Sequence, residues 1–315
     1  MRIIDAQSVQ RALTFPALVA TLRQTFAGPG ASPRRNIYRL SENPAKKDSF
    51  AVLPAWNDEL ISVKVFTYLP DAPAPGFPPL HSNVMVFDRR TGAPTAVLDG
   101  PSITNWRTAA IAALAADYLA RPDAKRLLFC GTGSLAPLTV LAHASVRDYE
   151  HIAVWGRNPD KAQQTVELVK QQRPELNVVV VDDLERAARA ADVISCATAA
   201  KKPLILGDWV KPGTHTDFSG NHEVDARECD SDLVANARVY VDSRANVLNE
   251  AGEILIPMRE GRFGEDHLVG ELAQLCRGEV PGRRNESEVT LFKSVGTALS
   301  DLAAASLVLR TLPAA

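Results

Sequence analysis

The chain has no uninterrupted apolar run near the ~18 residues a membrane helix needs. It also has no block of like charge: 35 Lys and Arg against 37 Asp and Glu leave a net charge of −2. Without a basic footprint, neither nucleic acid nor an anionic membrane is an expected partner. Cysteine is scarce. Cys130, Cys196, Cys229 and Cys276 are far apart and form no C-x-x-C pair, so reduced thiols in a cytoplasmic protein are expected, with no metal site. In residues 1–7, Asp5 and Gln7 interrupt the apolar positions too soon for a signal-peptide core. What is present is ordinary for a globular protein: 315 residues, 46% hydrophobic and 23% charged. That length has room for two domains and for burying about 75% of the unfolded surface.

The richest stretch is Leu127-Leu128-Phe129-Cys130-Gly131-Thr132-Gly133-Ser134-Leu135-Ala136. An apolar run ends in glycines and gives way to a helical pattern, as in a dinucleotide-binding βαβ unit. Gly131 is expected to allow the turn and Gly133 the approach of a pyrophosphate, with Ala136 where helix and strand pack closely. Thr132, Ser134 and Leu135 complete the loop, and the N–H groups at the helix start would hold phosphates.

The rest of the chain fits around this unit. Residues 1–30 read as two short helices, with Thr14 as a cap, Pro16 in the first turn and Gly28 as a stop. Strand-like runs follow at 49–54, 60–66, 83–87 and 94–98. Five prolines between residues 68 and 79 mark an extended loop. An alanine-rich helical pattern covers 103–119. Strands at 125–130, 151–155, 177–181 and 192–196 then alternate with helices reaching about 146 and covering 159–171 and 183–189. This rhythm predicts a Rossmann-type, doubly wound parallel sheet in an α/β chain. A further strand is expected at 238–241 and a long helix at 296–312. Residues 120–294 would form the dinucleotide-binding domain, and 1–119 with 295–315 a second, α+β domain.

The second strand of the Rossmann unit bears on cofactor choice. NAD-selective sites end that strand with an acidic residue that binds the ribose 2′-OH. Here the sequence is Trp155-Gly156-Arg157-Asn158, with glycine in the acidic position and an arginine able to pair with a 2′-phosphate. NADP(H) is therefore the preferred cofactor, with NAD(H) as the alternative.

Several further segments carry a resemblance. They are Ser32-Pro33-Arg34-Arg35, Val52-Leu53-Pro54-Ala55, Ser62-Val63-Lys64-Val65-Phe66, Asp99-Gly100, Trp106-Arg107-Thr108-Ala109-Ala110, Asp217-Phe218-Ser219-Gly220-Asn221-His222-Glu223 and Phe292-Lys293-Ser294-Val295-Gly296. Together with the glycine loop, where Leu135 replaces a family glutamine, they span nearly the whole chain. The sequence resembles the ornithine cyclodeaminase/mu-crystallin family, which includes amino-acid dehydrogenases and imine (ketimine) reductases.

The resemblance implies homodimers of two-domain subunits. In them, the domain formed by the N-terminal half and the last helix supplies the dimer contacts and much of the substrate pocket. It implies that Arg35, or Arg34 one residue earlier, and Arg107 hold the carboxylate of an amino or imino acid. An arginine fork suits that task, and a buried arginine such as Arg107 requires an anion. Lys64 would point into the pocket as a proton-exchanging group, Asp217 would face the substrate nitrogen, and His81 would stand beside the pocket. Thr108, Thr198, Ser294, Val295 and Gly296 would lie along the cofactor with Arg157 and Asn158. His222 is expected to be exposed and Lys293 structural.

True cyclodeaminases of the family carry a glutamate where this chain has Ala51, just before Val52-Leu53-Pro54. Alanine cannot hold the second ammonium of ornithine. The expectation is therefore an NAD(P)-dependent oxidoreductase acting on an imino or amino acid, an imine reductase or amino-acid dehydrogenase. Ornithine cyclodeaminase is the first alternative, and an NADP-binding protein without turnover the second.

Overall fold

The computed structural model describes residues 1–43, 46–70 and 76–313. The chain divides into two compact units, Met1–Arg107 with Thr297–Ala315, and Thr108–Gly296. In chain order, the first unit opens with β1 (Arg2–Ile4), α1 (Ala6–Ala12), α2 (Phe15–Ala27), β2 (Asn36–Arg39), β3 (Ser49–Trp56), β4 (Leu60–Tyr68), β5 (Leu80–Asp88), β6 (Pro94–Asp99) and the start of α3 (Gly100–Leu119). The second contains β7 (Arg126–Cys130), α4 (Ala136–His143), β8 (His151–Trp155), α5 (Pro159–Gln172), β9 (Val178–Val180), α6 (Leu184–Ala190), β10 (Val193–Cys196), β11 (His215–Phe218), α7 (Ser231–Asn236), β12 (Arg238–Val241), α8 (Arg244–Glu250), α9 (Gly252–Arg259), β13 (Leu268–Glu271), α10 (Leu272–Arg277) and β14 (Thr290–Lys293). The final helix, α11 (Ala298–Thr311), returns to the first unit.

The first unit is built on a six-stranded sheet of order β1-β6-β5-β4-β3-β2. All its neighbours pair antiparallel except β1 with β6. Strand β3 alternates buried and half-buried residues along its whole length, the period of a sheet with one covered face. Ala51, Leu53, Val84, Val86, Ala96 and Leu98 lie on the covered face, and α11 packs over β3, β4 and β5. Asp99 and Gly100 form the junction into α3. The Asp99 carboxylate accepts from Ser102 N at 2.8 Å, and a Cβ at Gly100 would collide with Ser82.

The second unit is an all-parallel sheet of eight strands, ordered β13-β12-β14-β11-β10-β7-β8-β9. This is the doubly wound arrangement expected from the sequence. The strand order reverses between β7 and β10, which is where such sheets bind ligands, beyond the carboxyl ends of the strands.

Several local expectations change. Strands β1, β2, β11, β13 and β14 were not apparent in the sequence. β11 reads His-Thr-Asp-Phe, polar enough to look like a loop, yet every residue is buried because its polar groups find partners. Helix α11 begins at Ala298 instead of 296, since Gly296 has φ +90° and Thr297 is an extended N-cap. The first division between the units falls inside α3, not at 119/120. Arg107 on this helix bonds Asp301 in the first unit, whereas the Leu119 carbonyl accepts from Thr290 and Arg283 in the second. Residues 71–75 of the proline-rich stretch lie outside the described residues.

Candidate functional site

Each unit presents its own set of candidate groups. In the first, Lys64 is central on β4. Paired with Leu53 of β3 and Val84 of β5, it points to the covered face and is only 6% exposed. Its Nζ donates to Thr104 Oγ1 at 2.9 Å and to Asp301 Oδ1 at 3.3 Å. Arg107 Nε donates to the same Asp301 oxygen at 3.0 Å. Two buried cations thus share one carboxylate, which is 1% exposed. Burial pushes the Lys64 ammonium down to about 8, with Arg107 and Arg35 adding to the fall and Asp301 opposing it.

The sheet register distinguishes the two candidate arginines. Ile37 pairs with Ala51, so extending that pairing brings Arg35 opposite Leu53 and onto the face of Lys64. Arg35 is half-buried and its charge reaches Lys64, whereas Arg34 is exposed. The same period of two corrects the expectation for His81. It pairs with Thr67, on the face opposite Lys64, and is exposed, its ring 6.3 Å from that of Phe77. Ala51 does share the face of Lys64 and is fully buried.

In the second unit the glycine loop is open at the head of α4. Gly131 has φ +141°, and a Cβ there would stand 2.7 Å from the Ala197 carbonyl oxygen. Gly133 and Ser134 are exposed, and nothing lies within 4 Å of where a Gly133 side chain would start. Gly131 N donates to Trp155 O and Ala136 N to Gly133 O, while the N–H groups of Thr132, Gly133, Ser134 and Leu135 find no acceptor among the described residues. Exposed, unpaired N–H groups at a helix head form a cradle for a phosphate. Gly156 is glycine for a reason the sequence hides: a Cβ there would collide with Thr132 Cγ2. Arg157 is exposed, and Asn158 caps α5 by accepting from Lys161 N at 3.1 Å.

The other predicted cofactor residues are held by carboxylates that the sequence did not single out. Thr198 donates from both N and Oγ1 to Glu228 Oε1, at 2.7 and 2.8 Å, and Gly220 N donates to Glu228 Oε2 at 2.8 Å. One fully buried side chain therefore ties together the loops that follow β10 and β11. Burial raises Glu228 to about 7, with the Lys293 ammonium pulling the other way. Lys293 is itself buried, pairing with Glu253 at 2.9 Å and donating to Asn221 O at 2.7 Å, as befits the structural role expected of it. Asp242 Oδ2 accepts from Ser294 Oγ, Val295 N and Gly296 N at 2.7, 3.0 and 2.6 Å. Thr108 is buried on α3, and His222 is exposed.

Asp217 departs most from expectation. It lies within β11, paired with Ser195 of β10 and Phe292 of β14, and is 1% exposed. Its Oδ1 accepts from Ser195 Oγ at 2.7 Å, and Oδ2 stands 3.3 Å from Nε2 of the fully buried His143. A loop position was expected, but Asp217 and three neighbouring residues form a strand, and its carboxylate faces His143 of α4.

Among the described residues there is no cluster of side chains suited to a metal ion, and no helix long and apolar enough to cross a membrane. All four cysteines are free.

The chain is 46% identical to a Δ1-pyrroline-2-carboxylate reductase of Colwellia psychrerythraea over 99% of both chains. It is 30% identical to the ketimine reductase mu-crystallin of Mus musculus, over 97% of this chain and 95% of that one. The solved structure of Thermococcus litoralis Δ1-pyrroline-2-carboxylate reductase, in complex with NADH and L-proline, superposes with a TM-score of 0.91 at 32% identity, covering 99% of this chain and 97% of that one. The sequence profile of the ornithine cyclodeaminase/mu-crystallin family matches residues 5–313, and the chain belongs to that family.

Proposed function

We propose that the protein is a nicotinamide-dependent reductase of a cyclic α-imino acid, with Δ1-pyrroline-2-carboxylate reduced to proline as the leading reaction. The observation that carries the reading is the buried cation cluster: Lys64 and Arg107 share a single carboxylate, so the cluster keeps a net positive charge. A buried excess charge calls for an anion, and the substrate carboxylate supplies it. Arg35 adds a third cation from the same sheet face.

The nicotinamide, when bound, supplies the hydride. The chain's residues must then hold the substrate and deliver one proton. Lys64 suits both tasks. Protonated, it attracts the carboxylate, and with a pKa near 8 it gives up its proton near neutral pH. That proton goes to the imine nitrogen, and solvent restores it to Nζ. Asp217 takes no part, being closed off beneath α4 by Ser195 and His143. Ala51 has no carboxylate for a second substrate ammonium, which favours net reduction over cyclodeamination.

The glycine loop would hold the cofactor pyrophosphate, and Glu228 and Asp242 would position the segments around Thr198 and Ser294. Exposed Arg157, with Gly156 in place of an acid, favours NADPH over NADH. The second face of the first unit's sheet supports a homodimer. Val52, Val63, Val65, Met85 and Val97 stay half-exposed there beside the exposed Ile3. Free thiols suit a cytoplasmic location.

The deciding experiment follows NADPH and NADH oxidation with Δ1-pyrroline-2-carboxylate and its six-membered homologue, with ornithine and NAD+ tested in parallel. Proline formed from ornithine without net cofactor change would overturn the reading. Cofactor binding with no turnover of any candidate would leave a binding protein.

A further inference from the structure

Nothing in the local sequence marks Asp301. It lies in an alanine-rich helix, 237 residues along the chain from Lys64. Its Oδ1 accepts from Lys64 Nζ at 3.3 Å and from Arg107 Nε at 3.0 Å, and its Oδ2 is buried without a hydrogen-bond partner among the described residues. We propose that Asp301 is the positioning residue of the substrate half-site: it keeps Lys64 protonated as the proton donor and holds the Arg107 guanidinium in place for the substrate carboxylate.

Polar and charged groups face Lys64 from three segments of the chain. From α3 come Thr104 and Arg107; from α11, Asp301; from the segment before β2, Arg35. Across the sheet its neighbours are Leu53 and Val84, which are apolar. Thr104 is neutral, and its own hydroxyl donates to Gly100 O at 2.8 Å, so it accepts from Lys64 without supplying charge. Two of the charged neighbours are cations, which favour a neutral amine, and burial acts in the same direction. Asp301 opposes them, through its charge and through its hydrogen bond. Without it, Lys64 would be a neutral amine over much of the pH range in which the enzyme works. It could then neither attract a carboxylate nor donate a proton.

The same carboxylate fixes Arg107. Its Nε is taken by Asp301, which leaves the two terminal nitrogens as the fork that can face an anion. One acid against two buried cations leaves the cluster short of negative charge, so the substrate carboxylate completes it instead of competing with Asp301.

This inference rests on the proposed reductase function for its meaning, but its test does not need turnover. The titration of Lys64 is followed by NMR of lysine-labelled protein without substrate, with Lys64→Arg identifying the signal. In the wild type the midpoint falls near pH 8. Asp301→Asn is expected to lower it by about one pH unit or more and to move the alkaline fall of kcat/KM to lower pH with it. KM should rise about tenfold, while Asp301→Glu restores most of the midpoint. A folded Asp301→Asn protein whose Lys64 midpoint is unchanged would overturn the proposal, whether or not the imino acid is a substrate. If that variant does not fold, the wild-type Asp301 carboxyl signal decides. It should shift with the Lys64 midpoint, and a signal flat through that range would equally overturn the proposal. Turnover of Δ1-pyrroline-2-carboxylate with an unmoved pH profile would leave the function intact and remove only Asp301's part.

Discussion

On the proposed reading, the two units meet a negatively charged ligand by opposite means. The first uses full charges on buried side chains: Lys64, Arg107 and, half-buried, Arg35. The second uses the backbone of the glycine loop, with exposed N–H groups and no charged side chain between Gly131 and Ala136. A buried ammonium or guanidinium needs a counter-charge in the fold, and Asp301 provides it. Backbone dipoles cost little when exposed to water and need no such partner. What the loop needs is geometry, supplied by glycine where a side chain would collide. Charge clusters should therefore be sensitive to the loss of any one member, and the loop to added bulk.

The largest effect is expected from Arg107→Ala. Breaking a buried pair costs about 3–5 kcal/mol, and here an anion subsite is lost too, so kcat/KM should fall by about a hundredfold or more. An unchanged kcat/KM would remove the first unit's cluster from the site.

The loop counterpart is Gly131→Ala. Its φ of +141° and the nearby Ala197 carbonyl predict a cost of about 1–3 kcal/mol. Thermal melting should show this together with weaker dinucleotide binding, whereas Gly133→Ala, with open space around it, should melt like the wild type. Equal losses in both variants would break the contrast.

A pH profile comes next. Lys64 is charged below about pH 8 and neutral above it. Its proton is needed both to bind and to reduce, so kcat/KM should be level below that pH and fall tenfold per unit above it. A rise above pH 8 would mean that the neutral amine is the working form.

The smallest effect is on cofactor choice. Arg157 is exposed, so Arg157→Ala should weaken NADPH binding by about tenfold and leave NADH nearly unchanged. Equal effects on both would deny the arginine a 2′-phosphate contact.

Legibility in the sequence followed how local each feature was. The apolar run into the glycine loop, the alternating strands and helices, and the proline-rich stretch are short-range patterns, and they predicted the Rossmann sheet. Strand β11 escaped because its His-Thr-Asp-Phe run breaks the apolar rule that identifies buried parallel strands. That one failure misplaced Asp217, which looked like a loop carboxylate. His81 was misplaced differently: a strand was recognised, but which of its faces met Lys64 depended on pairing with β4.

The sequence by itself determined the family, the parallel sheet and the glycine loop. All of these are written in neighbouring residues or in motif order. Only the tertiary structure decided which carboxylates matter. Asp301 meets Lys64 across 237 residues, and Glu228 meets Thr198 across 30. A lone acid in a helix or loop looks the same in sequence whether water or a buried ammonium faces it. Burial makes the difference, because removing water turns an ordinary charge into one that must be paired.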